Sequence, residues 1–405
     1  MRGRLSVAAL AIVALAAAGC GSSKSSSSSS TSTGSSSAVA SSGGAKSGKC
    51  TASIAIEGPF TGPVAQVGLE QLHFAQLAVA NDNKADGTNV TLAQDDTQLT
   101  PSIAVSKGQS IIASNAVAVV GPAGSQEVEA VGPLFGKAGI AFVSGSATLP
   151  ALATSGKNPT FFRVVPDDDV QGPQDATYIV THLKPKAVLI IDDDEAYSQG
   201  LVNVMMPILK KAGISVNHQT YNGTNTGATL SGALSSLVTS QLKPDDGVTV
   251  VPWQTAANAQ QFGLDAKQQG KKTILFGTDG TNSPKQFTIP GTYVSNFGPD
   301  IANSTSSLDK SIVSGVAAYG PYGSFGLPTY AAADVVMRAI SSVCKSGQTP
   351  SRANVLAAIK KTNIPASQTP LGNVIAFQPN GNLVDHPGYL FHINSAGKYI
   401  EIPPK

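Results

Sequence analysis

The sequence predicts an α/β protein made of two doubly wound lobes, each built on a parallel sheet. Three observations carry that prediction. Short apolar, β-rich runs alternate with longer helix-like runs from Lys49 almost to the C-terminus. Several short runs, such as Ala116–Val120 and Ala187–Ile191, are continuous Val/Ile/Ala/Leu and do not alternate with polar residues; this is the pattern of strands covered by helices on both faces. About ten strands alternating with helices argue for two such sheets. The chain of 405 residues is long enough for two domains, and 41% hydrophobic against 13% charged residues fits a globular protein with a large core.

The first segment reads as targeting. Arg2 and Arg4 precede an apolar run, Leu5 to Ala18, and small residues lead to Gly19-Cys20. The run falls short of the roughly 20 residues a spanning helix needs, so residues 1–19 are read as a secretory signal peptide. Cys20 directly after Gly19 resembles the lipobox of bacterial lipoproteins, with Ala17 where Leu is usual, which implies cleavage before Cys20 and acylation of its sulfur. Residues 20–48 are dominated by Ser and lack apolar periodicity, so nothing offsets the entropy of ordering them. They are expected to be a flexible tether. The whole then reads as an extracytoplasmic body held to the cell membrane through a lipid anchor. Without residues 1–19 the chain carries 25 basic and 25 acidic side chains and no basic stripe, so nucleic acid is not expected as a partner. Cys50 and Cys344 remain as an even pair in an oxidising compartment, either a disulfide from the first strand to a late helix or two separate buried thiols.

The expected strands are Ser53–Glu57, Val90–Gln94, Ala116–Val120, Ala141–Ser144, Phe161–Val164, Ala187–Ile191, Val216–Thr220, Gly247–Val251, Thr273–Phe276 and Thr292–Ser295. Helices are expected at Gly68–Asn81, with apolar residues at helical spacing, and at Ser102–Ser114, opened by Thr100 as cap and Pro101 at the first helical position. Others are expected at Glu127–Lys137, Gln171–His182, Ser198–Ala212, Leu230–Gln241, Ala256–Gln269, Asp309–Tyr319, Tyr330–Val343 and Ser351–Lys361. Gly213, Gly270 and Gly347 stand just past helix ends, where a left-handed cap prefers glycine. Gly388–Ile393 and Lys398–Ile402 flank Asn394-Ser395-Ala396-Gly397 and read as a terminal hairpin.

Open α/β sheets bind ligands beyond the carboxyl ends of their strands. The segments there are rich in Gly and hydroxyls: Gly58-Pro59-Phe60-Thr61-Gly62, Gly121-Pro122-Ala123-Gly124-Ser125, Ser144-Gly145-Ser146-Ala147-Thr148, Pro252-Trp253-Gln254-Thr255 and Gly277-Thr278-Asp279-Gly280. Free backbone N–H groups and short donors at helix N-termini suit a carboxylate, and Asp279 offers an acceptor for an ammonium. Together they describe a site for a zwitterion. The acidic run Asp192–Glu195 reads as a solvated loop before a helix, not a metal site.

In order along the chain, several motifs resemble the branched-chain amino acid (Leu/Ile/Val) binding proteins of ABC transporters. They are Ile56-Glu57-Gly58-Pro59-Phe60-Thr61-Gly62-Pro63-Val64-Ala65-Gln66, Val120-Gly121-Pro122 with Ser125, the Ser144–Thr148 loop, Phe162-Arg163-Val164 with Asp169-Val170-Gln171-Gly172-Pro173, Glu195–Gly200 and Gly277–Gly280. The resemblance runs from about residue 52 to the C-terminus. It implies a type I periplasmic binding protein fold with the lobes joined by a three-strand hinge. One lobe is expected at 49–167 plus 298–387, the other at 168–297 plus 388–405. The resemblance assigns ligand contacts to Ser125, Ser146, Ala147, Thr148, Tyr197, Trp253 and Asp279. Val67 stands where the family often has an aromatic, and Asp279 where it usually has Glu, which leaves the ligand's side chain open.

The implied function is capture of an amino acid by hinge closure and delivery to an ABC transporter permease, with no catalytic residue, cofactor or metal. Enzyme signatures are absent from the sequence: the five histidines lack metal-ligand spacing, and neither Gly-x-Ser-x-Gly nor Gly-x-Gly-x-x-Gly occurs in the expected place. The alternatives are the same clamp for an amide, urea or an aromatic carboxylate, a ligand sensor for a membrane kinase, and a lipid-anchored hydrolytic enzyme.

Overall fold

The computed structural model describes residues 50–223, 227–243, 246–385 and 387–403. The expected signal peptide, the whole tether and Cys20 lie outside them. Among the described residues no helix is long and apolar enough to cross a membrane.

The chain begins with β1 (Thr51–Gly58), α1 (Ala65–Asp86), β2 (Asn89–Asp96), α2 (Pro101–Ala113), β3 (Ala116–Val120), α3 (Ser125–Ala138), β4 (Ala141–Ser144), α4 (Ala151–Thr154) and β5 (Phe161–Arg163). These strands form one parallel sheet in the order β2-β1-β3-β4-β5. The fully buried runs of β3 and β4 are the continuous apolar stretches of the sequence. Next come α5 (Asp168–Tyr178), β6 (Ala187–Asp192), α6 (Ala196–Lys211), β7 (Ser215–Thr220), α7 (Gly227–Gln241), β8 (Asp246–Val251), α8 (Ala256–Gln268), β9 (Ile274–Gly277) and β10 (Tyr293–Asn296). The chain then returns to the first sheet as α9 (Ser307–Gly315), α10 (Gly326–Lys345) and α11 (Arg352–Ile359), with α10 packed on α1 and α11 on β3 and β4. A two-stranded ribbon of β11 (Asn363–Ile364) and β12 (Ile375–Ala376) precedes β13 (Tyr389–Ile393) and β14 (Tyr399–Ile402). The second sheet has the order β14-β13-β10-β9-β8-β6-β7, parallel except at β10–β13 and β13–β14.

Each expected strand is present, its ends within a residue or two. Helical differences are larger. The expected helix Gln171–His182 starts earlier, at Asp168, and gives way to a wider π-type turn over Ile179–Leu183. The helix expected at Tyr330–Val343 extends to both sides as α10, and that at Asp309–Tyr319 stops at Gly315. The short α4 and the β11–β12 ribbon were not anticipated, being too short to carry a period.

Each sheet has a core on both faces. Phe74, Ile54, Val336 and Ile340 fill one face of the first sheet, and Phe135, Phe142 and Phe161 the other. Trp253, Phe262 and Phe287 pack on one face of the second sheet, with Ile190, Met205 and Phe276 on the other. A disulfide joins Cys50, just before β1, to Cys344 in the last turn of α10, across 294 positions of sequence. A native cross-link of this kind contributes about 2–5 kcal/mol, mostly by restricting the unfolded chain.

The chain passes between the sheets after β5, after β10 and before β13. Arg163 ties two of these passages together. Its fully buried guanidinium donates through Nε to Asn382 Oδ1 (2.8 Å) and through Nη2 to Asp167 Oδ2 (3.2 Å). Nη1 donates to the carbonyls of Ala147 (3.2 Å) and Leu149 (3.0 Å), and Asn382 Nδ2 closes the ring on Asp167 (3.0 Å). Val165, Phe297 and Phe325 form a small apolar cluster beside the passages, with Val67 against it.

Candidate functional site

Both sheets reverse their winding direction: the first between β1 and β3, the second between β6 and β8. At such switch points the segments beyond the strand ends part and leave a crevice. Here one narrow cavity is lined from both sides, by Val67, Leu99, Ala123, Ser125, Ser146 and Phe325 with the first sheet, and by Tyr197, Gln254, Asp279 and Gly280 with the second.

The second-sheet wall is acidic and tightly held. Asp279 lies in a 3₁₀ turn just after β9 and is 1% exposed. Its Oδ1 accepts from the Tyr197 hydroxyl (2.6 Å) and from Gln171 Nε2 (2.7 Å). The Tyr197 oxygen also accepts from the Gly280 N–H (3.0 Å) and lies 2.6 Å from Thr278 Oγ1. A phenol has one hydrogen, which is spent on Asp279, so Thr278 is the donor in that pair. Gly280 is glycine for a steric reason: a Cβ there would sit 2.3 Å from the Trp253 carbonyl and 3.0 Å from the Tyr197 ring.

Behind Asp279 the network continues. Gln171 Nε2 also donates to Ser295 Oγ (3.2 Å), which donates to Asp175 Oδ2 (2.6 Å). Burial raises the carboxyl of Asp279 to about 6 despite these donors. Burial, and then the Asp279 charge, pushes Asp175 well above the usual range. Asp168 is raised to about 8, again mainly by burial, with the Asp279 charge adding to it. The Thr148 hydroxyl lies beside Asp168 and lowers that value, although neither Thr148 Oγ1 nor the Asp168 oxygens make a well-formed hydrogen bond. Among the described residues no Lys or Arg forms an ion pair with these three acids. Asp168 and Asp175 are thereby held protonated at neutral pH, and Asp279 is the anion of this wall.

The opposite wall has donors. Ser125 is the first residue of α3, and Gly124 occupies the cap position. The helix is closed by Glu127, whose Oε2 accepts from the Gly124 N–H (2.8 Å), so Ser125 is not needed as a cap. Ser125 Oγ accepts from the Leu149 N–H (3.2 Å), which leaves its hydrogen for the cavity. The N-terminus of α3 adds a partial positive charge there. Ser146 also lines the cavity, but its hydroxyl is committed: it donates to the Ala123 carbonyl (2.7 Å) and accepts from Gln71 Nε2 (2.8 Å).

The expected site residues therefore divide. Ser125, Ser146, Tyr197 and Asp279 meet at the cavity. Ala147 and Thr148 are buried immediately behind it, the first drawn back by Ser144 Oγ on its N–H (3.0 Å) and Arg163 on its carbonyl. Trp253 is a correction. Its indole is fully buried in the core of the second sheet, edge-on to Tyr221 (4.8 Å between centroids) and Phe262 (5.8 Å), and its N–H is given to the Ile191 carbonyl. The next residue, Gln254, reaches the cavity and exchanges amide hydrogen bonds with Gln126 of α3 (2.9 and 3.4 Å). This pair bridges the two walls.

The acidic run is a second correction. Asp192 and Asp193 are buried, not solvated. Asp192 accepts from Thr220 Oγ1 (2.8 Å) and faces His218 Nε2 (2.5 Å), while Asp193 accepts from Ser198 Oγ (2.6 Å) and positions Gln254 through its N–H (3.1 Å). No group of three or more metal-ligating side chains occurs among the described residues.

The residues lining the cavity include no His, Cys or Lys. A hydroxyl and a helix N-terminus face a carboxylate network across an apolar remainder, an arrangement that can hold both poles of a zwitterion.

Known proteins resemble this chain over most of its length. The family described as Periplasmic binding protein matches residues 51–398. The leucine-, isoleucine-, valine-, threonine- and alanine-binding protein of Pseudomonas aeruginosa is 27% identical over 343 residues, covering 82% of this chain and 87% of the relative. The Leu/Ile/Val-binding protein of Escherichia coli K12 is 27% identical over 292 residues, 69% of this chain and 76% of the relative. Among solved structures, the branched-chain amino acid transporter substrate binding protein LivJ of Streptococcus pneumoniae, in complex with isoleucine, superposes with a TM-score of 0.73 at 21% identity, covering 87% of this chain and all of that one. The leucine binding protein LivK of Thermotoga maritima gives 0.74 at 19% identity, covering 87% of this chain and 98% of that one.

Proposed function

The chain belongs to the periplasmic binding protein family, and from that premise we propose that it is an extracytoplasmic solute-binding protein that captures a branched-chain amino acid and hands it to an ABC transporter permease. One observation carries the choice of ligand: Ser125 with the α3 N-terminus and Asp279 with Tyr197 face a single small cavity from opposite sheets. The carboxylate of the ligand is placed at the first pair and its ammonium at the second. Val67, Leu99 and Phe325 supply an apolar wall for its side chain.

The mechanism follows from where these residues sit. We take the lobes to be 49–167 plus 298–387 and 168–297 plus 388–405, moving about the three passages. A ligand touching both lobes favours the state in which they are closed, and the Gln126–Gln254 exchange adds a contact made only when they meet. The lobes bind and release; no step in this reading makes or breaks a covalent bond. We place the body at the cell membrane through acylated Cys20 and the Ser-rich tether.

Calorimetric titration of the purified body tests the reading. Leucine, isoleucine or valine is expected to bind with a one-to-one stoichiometry, while urea, simple amides and aromatic carboxylates, which lack an ammonium for Asp279, are expected to give no saturable heat. Saturable binding of a ligand without an ammonium, and none by amino acids, would transfer the clamp to a different ligand class.

A further inference from the structure

We infer that Leu99 sets the size of ligand side chain the cavity accepts, an inference that rests on the amino-acid reading of the site. Leu99 follows β2 and lines the cavity. Its φ is 58°, and that of the preceding Gln98 is 52°. Consecutive residues with long side chains rarely adopt this left-handed conformation, which glycine or asparagine takes at little cost. The strained turn is held from outside itself. Asp96 Oδ1 accepts from the N–H groups of Gln98 (3.2 Å), Phe60 (2.8 Å) and Thr61 (3.2 Å), stapling the turn to the segment between β1 and α1. Thr97 N–H adds a bond to the Gly58 carbonyl (3.0 Å).

This backbone aims the leucine into the crevice. Leu99 Cδ1 lies only 2.8 Å from where a Cβ on Gly124 would be. Gly124 caps α3 and directly precedes Ser125, so the isobutyl group packs against the helix terminus that faces the ligand. A turn that served only to connect β2 to α2 would gain from a glycine at this position. A leucine kept there against its conformational preference, with its side chain on the cavity wall, reads as a wedge that shortens the apolar end of the site.

Two substitutions push the wedge in opposite directions. Leu99→Gly removes the side chain and gives the backbone the residue its φ favours. Gly124→Ala, at a negative φ that alanine adopts freely, crowds Leu99 Cδ1 and, at 3.0 Å, the Gln126 amide oxygen, and so narrows the same end of the site. Each is titrated calorimetrically with valine, leucine and phenylalanine. In Leu99→Gly the ratio of the phenylalanine Kd to the valine Kd is expected to fall at least about tenfold from wild type, with Tm within about 2 °C of it. In Gly124→Ala the ratio is expected to rise. A Leu99→Gly ratio within about twofold of wild type, or an equal loss for all three amino acids, overturns the wedge while leaving the site reading intact. A wild-type protein that binds none of the three overturns both.

Discussion

Asp279→Ala is expected to weaken amino-acid binding at least about thirtyfold while the protein still folds. Removing one partner of a buried, hydrogen-bonded charge pair costs about 2–5 kcal/mol, since the ligand ammonium is left desolvated and unpaired. Asp279 is the acid on the cavity wall, and Tyr197 and Gln171 orient it. Asp279→Asn keeps an oxygen for those two donors and isolates the charge, so it should lose affinity nearly as far. Without ligand, Asp279→Asn should be at least as stable as wild type at neutral pH, whereas Asp279→Ala strands the Tyr197 and Gln171 donors and gives back that gain. The folded pKa of Asp279 lies above its ordinary value, at about 6. Its stability contribution is therefore present below the unfolded carboxyl range and lost as pH rises through 6. Binding has the opposite sign: the ammonium needs the ionised form, so wild-type affinity should fall as pH is lowered through about 6. Titrations from pH 5 to pH 8 check this, and a slope that persists in Asp279→Asn would move the pH dependence to another group.

Arg163→Met carries the largest expected cost in stability, about 3–5 kcal/mol. Total stability of a domain is only about 5–15 kcal/mol, so this is a major fraction. The substitution leaves Asp167 buried beside no cation and strips donors from the carbonyls of Ala147 and Leu149. Since Arg163 also binds Asn382, the damage should concentrate where the chain passes between the sheets. Denaturant unfolding measures the loss, and limited proteolysis should show new cleavage near residues 164–168 and 381–385. Adding Asp167→Asn to Arg163→Met removes the stranded charge and should recover part of the lost stability. No recovery would show that the carbonyls, not the charge, set the cost. Arg163→Lys should not substitute, because a single ammonium lacks the fork that reaches four acceptors.

The strands were legible because burial on both faces writes itself as continuous apolar runs, as in Ala116–Val120 and Ala141–Ser144. The position of Asp279 was legible for a related reason: ligand residues gather just past strand ends, and the strand ending near Phe276 was clear. Trp253 stands one residue from Gln254, which lines the cavity. The segment after β8 was identified, but which of two neighbours turns outward depends on the core formed with Tyr221 and Phe262. The burial of Asp192 and Asp193 was hidden because their partners lie at Thr220, Ser198 and Gln254, outside the run itself. Arg163 and Asn382, 219 positions apart, leave no local pattern at all. Leu99 and Phe325 lie far apart in the sequence, and only the fold places both on one cavity.

The account rests on opposite poles of one ligand being held by opposite lobes, and a crystal structure of the protein grown with leucine tests it most directly. The expected density places the ligand carboxylate on Ser125 and the α3 N-terminus, and the ammonium within hydrogen-bond distance of Asp279. Leucine seated with its ammonium away from Asp279, or bound to one lobe only, would contradict it.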